Sequence, residues 1–133
     1  MFRDDPGVLM EKAAEDQYVL GRLADDLDAP DAILGFHAQQ AVEKCIKAVL
    51  AGRGMEYART HDVAGLIDRL RKGGVADPPD AERLPALTPY GARARYADLP
   101  PELVAAPKLD RQWAKECVAR TLAWAREQLG MKP

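Results

Sequence analysis

Two histidines, His37 and His61, are the only ones in this chain of 133 residues. Histidine is the side chain whose charge ordinarily changes between pH 5 and 8, so these two are the candidates for moving protons at neutral pH. Cleaving an RNA strand by attack of its own 2′-hydroxyl needs such a group, plus cations to stabilise the charge on phosphorus. His37 falls one helical turn from Gln40 and two from Lys44, with Lys47 one turn further on. His61 stands beside Thr60 at the opening of a helix, where a turn role competes with a catalytic one. A second constellation is Arg93, Arg95 and Tyr96: guanidinium groups pair phosphate oxygens in a bidentate way, and tyrosine can stack on a base. The alternative is that Arg95 pairs an internal acid such as Asp16 while Tyr96 packs across the fold. Gln40, Lys44 and Lys47 complete the candidate ligand-binding set, although a lone lysine row also suits a solvated helix face. No glycine-rich phosphate loop, Cys/His metal spacing or Ser-His-Asp arrangement is present, so neither a metal nor a cofactor is expected.

The elements that must hold these residues are helices. The run from Phe36 to Leu50 contains no Pro or Gly and has helical periodicity. On a wheel of about 100° per residue, Leu34, Ala38, Ala41, Val42, Cys45, Ile46, Ala48 and Val49 fill one broad arc, while His37, Gln40, Glu43, Lys44 and Lys47 fill another. An arc covering roughly half the circumference is wider than a surface helix needs, which makes this the central helix of a bundle. Gln39 falls inside the apolar territory and needs partners for its amide.

A first helix begins near Asp5 with Pro6 at its first position, and its inner stripe is Leu9, Ala13, Leu20, Leu23, Ala24 and Leu27. Asp16 projects onto that stripe and must find a hydrogen bond, a cation or water. Asp28-Ala29-Pro30-Asp31 makes a short connection that favours antiparallel packing. Ala51-Gly52-Arg53-Gly54 closes the central helix. Thr60, as N-cap, opens a third helix with Val63, Leu66, Ile67 and Leu70 inside, and Gly73-Gly74 ends it.

Seven of the ten prolines lie between Val75 and Pro107. Thr88-Pro89 there suggests a short helix from Pro89 to about Tyr96. The last helix runs from about Asp110 to Leu129 and places Trp113, Cys117, Val118, Leu122, Trp124 and Ala125 on one face. No alternating pattern reads as a strand. The fold class is all-α, with four main helices plus one or two short ones in a single domain spanning 1–133.

The totals are those of a globular protein: 47% apolar, 30% charged, net charge −2. No apolar run approaches the ~18 residues of a membrane span, and the N-terminus lacks a basic region followed by an apolar one, so a cytoplasmic location is expected. Cys45 and Cys117 fall on apolar helix faces and read as small buried hydrophobes. Residues 1–28 carry eight acids against three bases, whereas residues 41–72 carry seven bases against four acids. That polarity fits self-association or an anionic ligand, and solvated helix faces as well.

Three segments in order carry a family resemblance: Phe36-His37-Ala38-Gln39-Gln40-Ala41-Val42-Glu43-Lys44 leading into Ile46-Lys47-Ala48, then Thr60-His61-Asp62-Val63, then Leu87-Thr88-Pro89-Tyr90 followed by Arg95-Tyr96-Ala97-Asp98. With them the chain resembles the HEPN family (higher eukaryotes and prokaryotes nucleotide-binding), in its small stand-alone prokaryotic form. The resemblance implies an up-and-down helical bundle that is usually a homodimer. It implies binding of nucleotides or RNA, often beside a small nucleotidyltransferase in a toxin–antitoxin-type pair. Ribonucleases of similar fold carry Arg and, four to six residues on, His near the start of the last helix. Here that stretch is Lys108-Leu109-Asp110-Arg111-Gln112-Trp113-Ala114-Lys115 and holds no His. The expectation is therefore a non-catalytic binding or interaction module. The alternative is a metal-independent ribonuclease, a toxin, with an atypical Arg/His/Tyr set.

Overall fold

The computed structural model describes residues 4–91 and 108–132. Among them are four α-helices, α1 (Pro6–Leu23), α2 (Asp31–Gly52), α3 (Val63–Lys72) and α4 (Arg111–Gln128), and one 3₁₀ segment, Leu84–Gly91. The described residues contain no strand, so the class is all-α and the architecture a helical bundle.

α1 starts as its sequence dictates. The Asp5 carboxylate accepts hydrogen bonds from the Gly7 and Val8 amides, and Pro6 occupies the first turn, where its missing N–H costs nothing. Met10, Ala13 and Leu20 are buried, with Asp16 among them. Leu27, expected on the inner stripe, is 90% exposed: the helix stops at Leu23 and the chain turns before Leu27 can share its face.

α2 is the spine. Leu34, Ala38, Ala41, Val42, Cys45, Ile46, Ala48, Val49 and Leu50 are all without solvent exposure. Each fully buried Leu, Ile or Val contributes roughly 1.5–3 kcal/mol relative to an exposed one. The breadth of that apolar arc follows from its neighbours: α1, α3, the 3₁₀ segment and α4 all pack on α2. Contacts at both ends set the directions. Pro6 and Leu129 lie beside Gly52 at the end of α2, while Arg111 at the start of α4 reaches Asp31 at the start of α2. So α1 runs antiparallel to α2, and α4 runs parallel to it.

Two glycines permit the close approach of the 3₁₀ segment to α2. A Cβ at Gly35 would lie 2.1 Å from the Tyr90 ring, and one at Gly91 would lie 2.7 Å from the Gln39 amide carbon. The 3₁₀ segment therefore presses its last two residues directly onto α2. It begins earlier than the proline pattern suggests: Asp80, in left-handed backbone at φ 60°, offers its carbonyl to the Arg83 and Leu84 amides and starts the turn. Pro89 sits inside the segment rather than at its head. The stretch from Arg93 to Tyr96 lies outside the described residues.

Candidate functional site

Six residues of α2 line its one partly polar side: His37, Gln39, Gln40, Glu43, Lys44 and Lys47. All but Gln40, which bonds only to Gln39 beside it, are joined to another helix or to the chain before α3. Asp16, the acid on the apolar stripe of α1, answers the first of them. Its Oδ1 lies 2.9 Å from His37 Nδ1, and its Oδ2 accepts from Lys44 Nζ at 2.5 Å. An ionised carboxylate has only acceptors, so His37 donates to it through Nδ1–H and Nε2 takes no part in that bond.

Glu43 repeats the arrangement on the adjoining flank. Its Oε1 lies 2.6 Å from His61 Nδ1 and 3.0 Å from Gln39 Nε2, and its Oε2 accepts from Lys47 Nζ at 3.1 Å. Gln39 Nε2 also reaches the His61 carbonyl at 3.2 Å, and Gln40 Nε2 donates to Gln39 Oε1 at 2.8 Å. The buried amide thus ties the start of α3 to the spine. Lys47 Nζ hangs 5.8 Å above the Tyr57 ring. The Tyr57 hydroxyl donates to Asp4, and burial together with that carboxylate holds the phenol above its ordinary pKa.

Each carboxylate therefore holds one histidine through Nδ1 and one lysine. Asp16 and Glu43 balance Lys44 and Lys47, and the set is neutral when both imidazoles are neutral. Glu43 lies six positions after His37, a rise of about 9 Å and a rotation of roughly 240°. His37 therefore leaves α2 about 120° around the helix from the carboxylate that holds His61.

Sequence expectation and geometry agree in part. The candidate residues fall into two separate polar sets: His37 and Lys44 on Asp16, and His61, Lys47 and, through Gln39, Gln40 on Glu43. Arg93, Arg95 and Tyr96 lie outside the described residues. Asp16 takes His37 and Lys44 as its partners, and the pairing of Glu43 with His61 has no counterpart in the sequence reading. Its signal was Gln39, an amide in apolar territory within one turn of Glu43.

Thr60 does not cap α3. Asp62 takes that position, and Thr60 Oγ1 instead accepts from the Asp62 amide at 3.0 Å. The Val63 amide is satisfied from outside by Thr88 Oγ1 at 3.3 Å. A groove of about 320 Å³ runs alongside, between Tyr57–Thr60 and the α3 residues Gly65, Leu66 and Arg69. Of its charged lining residues, Lys72 pairs with Asp68 and Arg69 Nε donates to the Glu56 carbonyl.

Burial pushes both thiols, Cys45 and Cys117, up to about 12, which leaves neither a nucleophile at neutral pH. Among the described residues no three His, Cys, Asp or Glu side chains gather as metal ligands would.

At the head of α4, Arg111 is held by four acceptors. Its Nε donates to Asp31 Oδ1 at 2.9 Å, its Nη1 to the carbonyls of Asp26 at 2.8 Å and Ala24 at 3.3 Å, and its Nη2 to the Ala29 carbonyl at 2.6 Å. Asp31 Oδ2 accepts the Leu109 amide at 3.0 Å. A cation in the first turn of a helix opposes the dipole, which is the one sequence sign that Arg111 has work elsewhere.

A model of the HEPN domain matches residues 9–126, most of the chain. The chain belongs to the HEPN family. No curated protein and no solved structure matches it. The HEPN match spans α1 to nearly the end of α4, so it covers both carboxylate-centred sets on α2 and the Arg111 junction. No described helix of this HEPN chain is long and apolar enough to cross a membrane.

Proposed function

We propose that this HEPN chain is a non-catalytic, cytoplasmic module that binds a nucleotide or RNA. In this reading it acts as a homodimer beside a small nucleotidyltransferase in a toxin–antitoxin-type pair. Membership of the family supports a nucleotide- or RNA-related role in general. The observation that carries the non-catalytic part is Arg111: its guanidinium is committed to one carboxylate and three carbonyls, and no histidine follows it on α4. Arg93, Arg95 and Tyr96 are the proposed phosphate and base contacts, with Gln40, Lys44 and Lys47 on α2 adding polar surface.

A ribonuclease reading draws on one feature, the two histidines fixed through Nδ1 as proton-transfer groups commonly are. The turn of about 120° around α2 between His37 and the carboxylate that holds His61 counts against it, because acid and base must both reach one phosphodiester.

Incubating the purified chain with labelled single-stranded RNA tests the proposal. Binding without cleavage is the expected result, and Arg95→Ala is expected to weaken it roughly tenfold, the scale of one charge-assisted hydrogen bond of about 1.5 kcal/mol. Cleavage by the wild type that is lost in His37→Ala, with helicity and dimer mass unchanged, would overturn it in favour of the ribonuclease.

A further inference from the structure

The polar side of α2 poses an electrostatic problem for an anion-binding protein. Its two lysines do not present free charge: Lys44 is held by Asp16 and Lys47 by Glu43. A polyanion approaching this side meets a set that sums to zero, in which each cation already has a carboxylate against it. The variable members are the histidines, the only two in the chain. Both use Nδ1 on a carboxylate, so a second proton enters at Nε2 without breaking an existing bond. Both are reachable from solvent, His37 with 24% and His61 with 64% of its side chain exposed.

We infer that the α2 side is a proton-linked binding face for a phosphodiester backbone, neutral when both imidazoles are neutral and carrying two positive charges when both are protonated, so that single-stranded RNA binds with uptake of protons at His37 and His61. This rests on the RNA-binding reading above and adds its regulation.

The surroundings of each ring agree with it. His37 faces Asp16 from α1, and on its own helix Lys44 holds the other oxygen of that carboxylate; the Phe36 ring edge packs on the imidazole at 5.3 Å between centroids. His61 faces Glu43 of α2 and, through it, Lys47 and Gln39. Arg59 and Asp62 flank it along the chain, while Tyr57 and Asp4 lie beyond Lys47. Of these groups, only the imidazoles belong to a type that ordinarily changes charge between pH 5 and 8. The thiols, ordinarily at 9.0, are pushed further above that window by burial.

The test uses the full chain and a dye-labelled uridine dodecamer with hydroxyl ends, so that no terminal phosphate or dye titrates in the range. Affinity is measured from about pH 8 down to about pH 5.5, the window of histidine chemistry. The expected result is at least a tenfold gain at the acid end, with a slope of up to one power of ten per pH unit for each proton taken up. Neutralising two phosphates also steepens the dependence of log K on log salt by about 1.4 at the acid end. His37→Gln and His61→Gln each keep a donor for their carboxylate; each should remove part of the gain, and the double variant should be flat with pH. Proton uptake by the wild type, from calorimetry in two buffers of different ionisation heat, gives the same answer if a variant fails to fold.

RNA bound equally at both ends of the range, or a dependence that survives in the double variant, overturns the inference and leaves the RNA-binding function standing. No RNA bound at any pH removes both.

Discussion

Asp16 and Gln39 look misplaced when the chain is laid on helical wheels, and each turns out to anchor a carboxylate-centred set. Helical periodicity made that much legible, because it fixes which residues share a face. It does not fix which residue of another helix arrives opposite, so the partners of Asp16 and the Glu43–His61 pair emerge only from the packing. Gly35 teaches the complementary lesson. Nothing in its local sequence demands glycine, yet the Tyr90 ring lies where its Cβ would be. Gly35→Ala should cost about 1–3 kcal/mol through overpacking, read as a fall in urea midpoint at constant slope. In a Tyr90→Ala background the same substitution should cost far less, and equal costs in both backgrounds would show that the ring is not the obstacle.

Among the elements, the four long helices were readable from apolar spacing and from punctuation by Pro30, Gly54, Gly73 and Gly130. What was not readable depended on turn geometry. Thr88-Pro89 suggests the head of a helix, whereas Pro89 lies inside a 3₁₀ segment that follows Asp80 in left-handed backbone. Thr60 has the side chain of a cap, yet its hydroxyl bends the chain one step earlier and leaves Asp62 at the boundary. The Arg111 junction belongs to this scale, since it fixes the head of α4 against the turn between α1 and α2. Arg111→Ala leaves the partly buried Asp31 carboxylate and three carbonyls short of a donor. The expected loss is about 2 kcal/mol, below the 3–5 kcal/mol of a fully buried pair because solvent screens part of it. Arg111→Lys should recover less than half, as an ammonium cannot span four acceptors in a planar fork. Full recovery by lysine would mean that charge alone matters there.

For the molecule as a whole, the tryptophans and the apolar side of α2 are already used inside one chain: Trp113 is 9% and Trp124 7% exposed. A homodimer would need other apolar surface, for which Val8, Tyr18, Leu27 and Ile33 are available. The buried thiols give the fold an alkaline limit. Their pKa values rise from 9.0 to about 12 on folding, so the unfolded chain releases protons that the folded chain keeps. Stability from this source is complete below pH 9 and falls as pH rises toward 12, by at most about 1.4 kcal/mol per pH unit for each thiol. Cys45→Ala should flatten that decline even though it lowers stability near neutrality. A decline of unchanged steepness would place its origin elsewhere.

The Arg111 contacts have one more consequence, in time rather than energy. They join residues separated by about eighty positions of sequence, whereas α1 and α2 meet across a short turn. Closing so long a loop is entropically slow to reward, so the staple forms after the α1–α2 hairpin has condensed. Interactions absent from the transition state act on the rate of leaving the native state. Arg111→Ala is therefore expected to speed unfolding far more than it slows folding, as the two limbs of a urea chevron would show; an equally slowed folding limb would place the staple in the transition state.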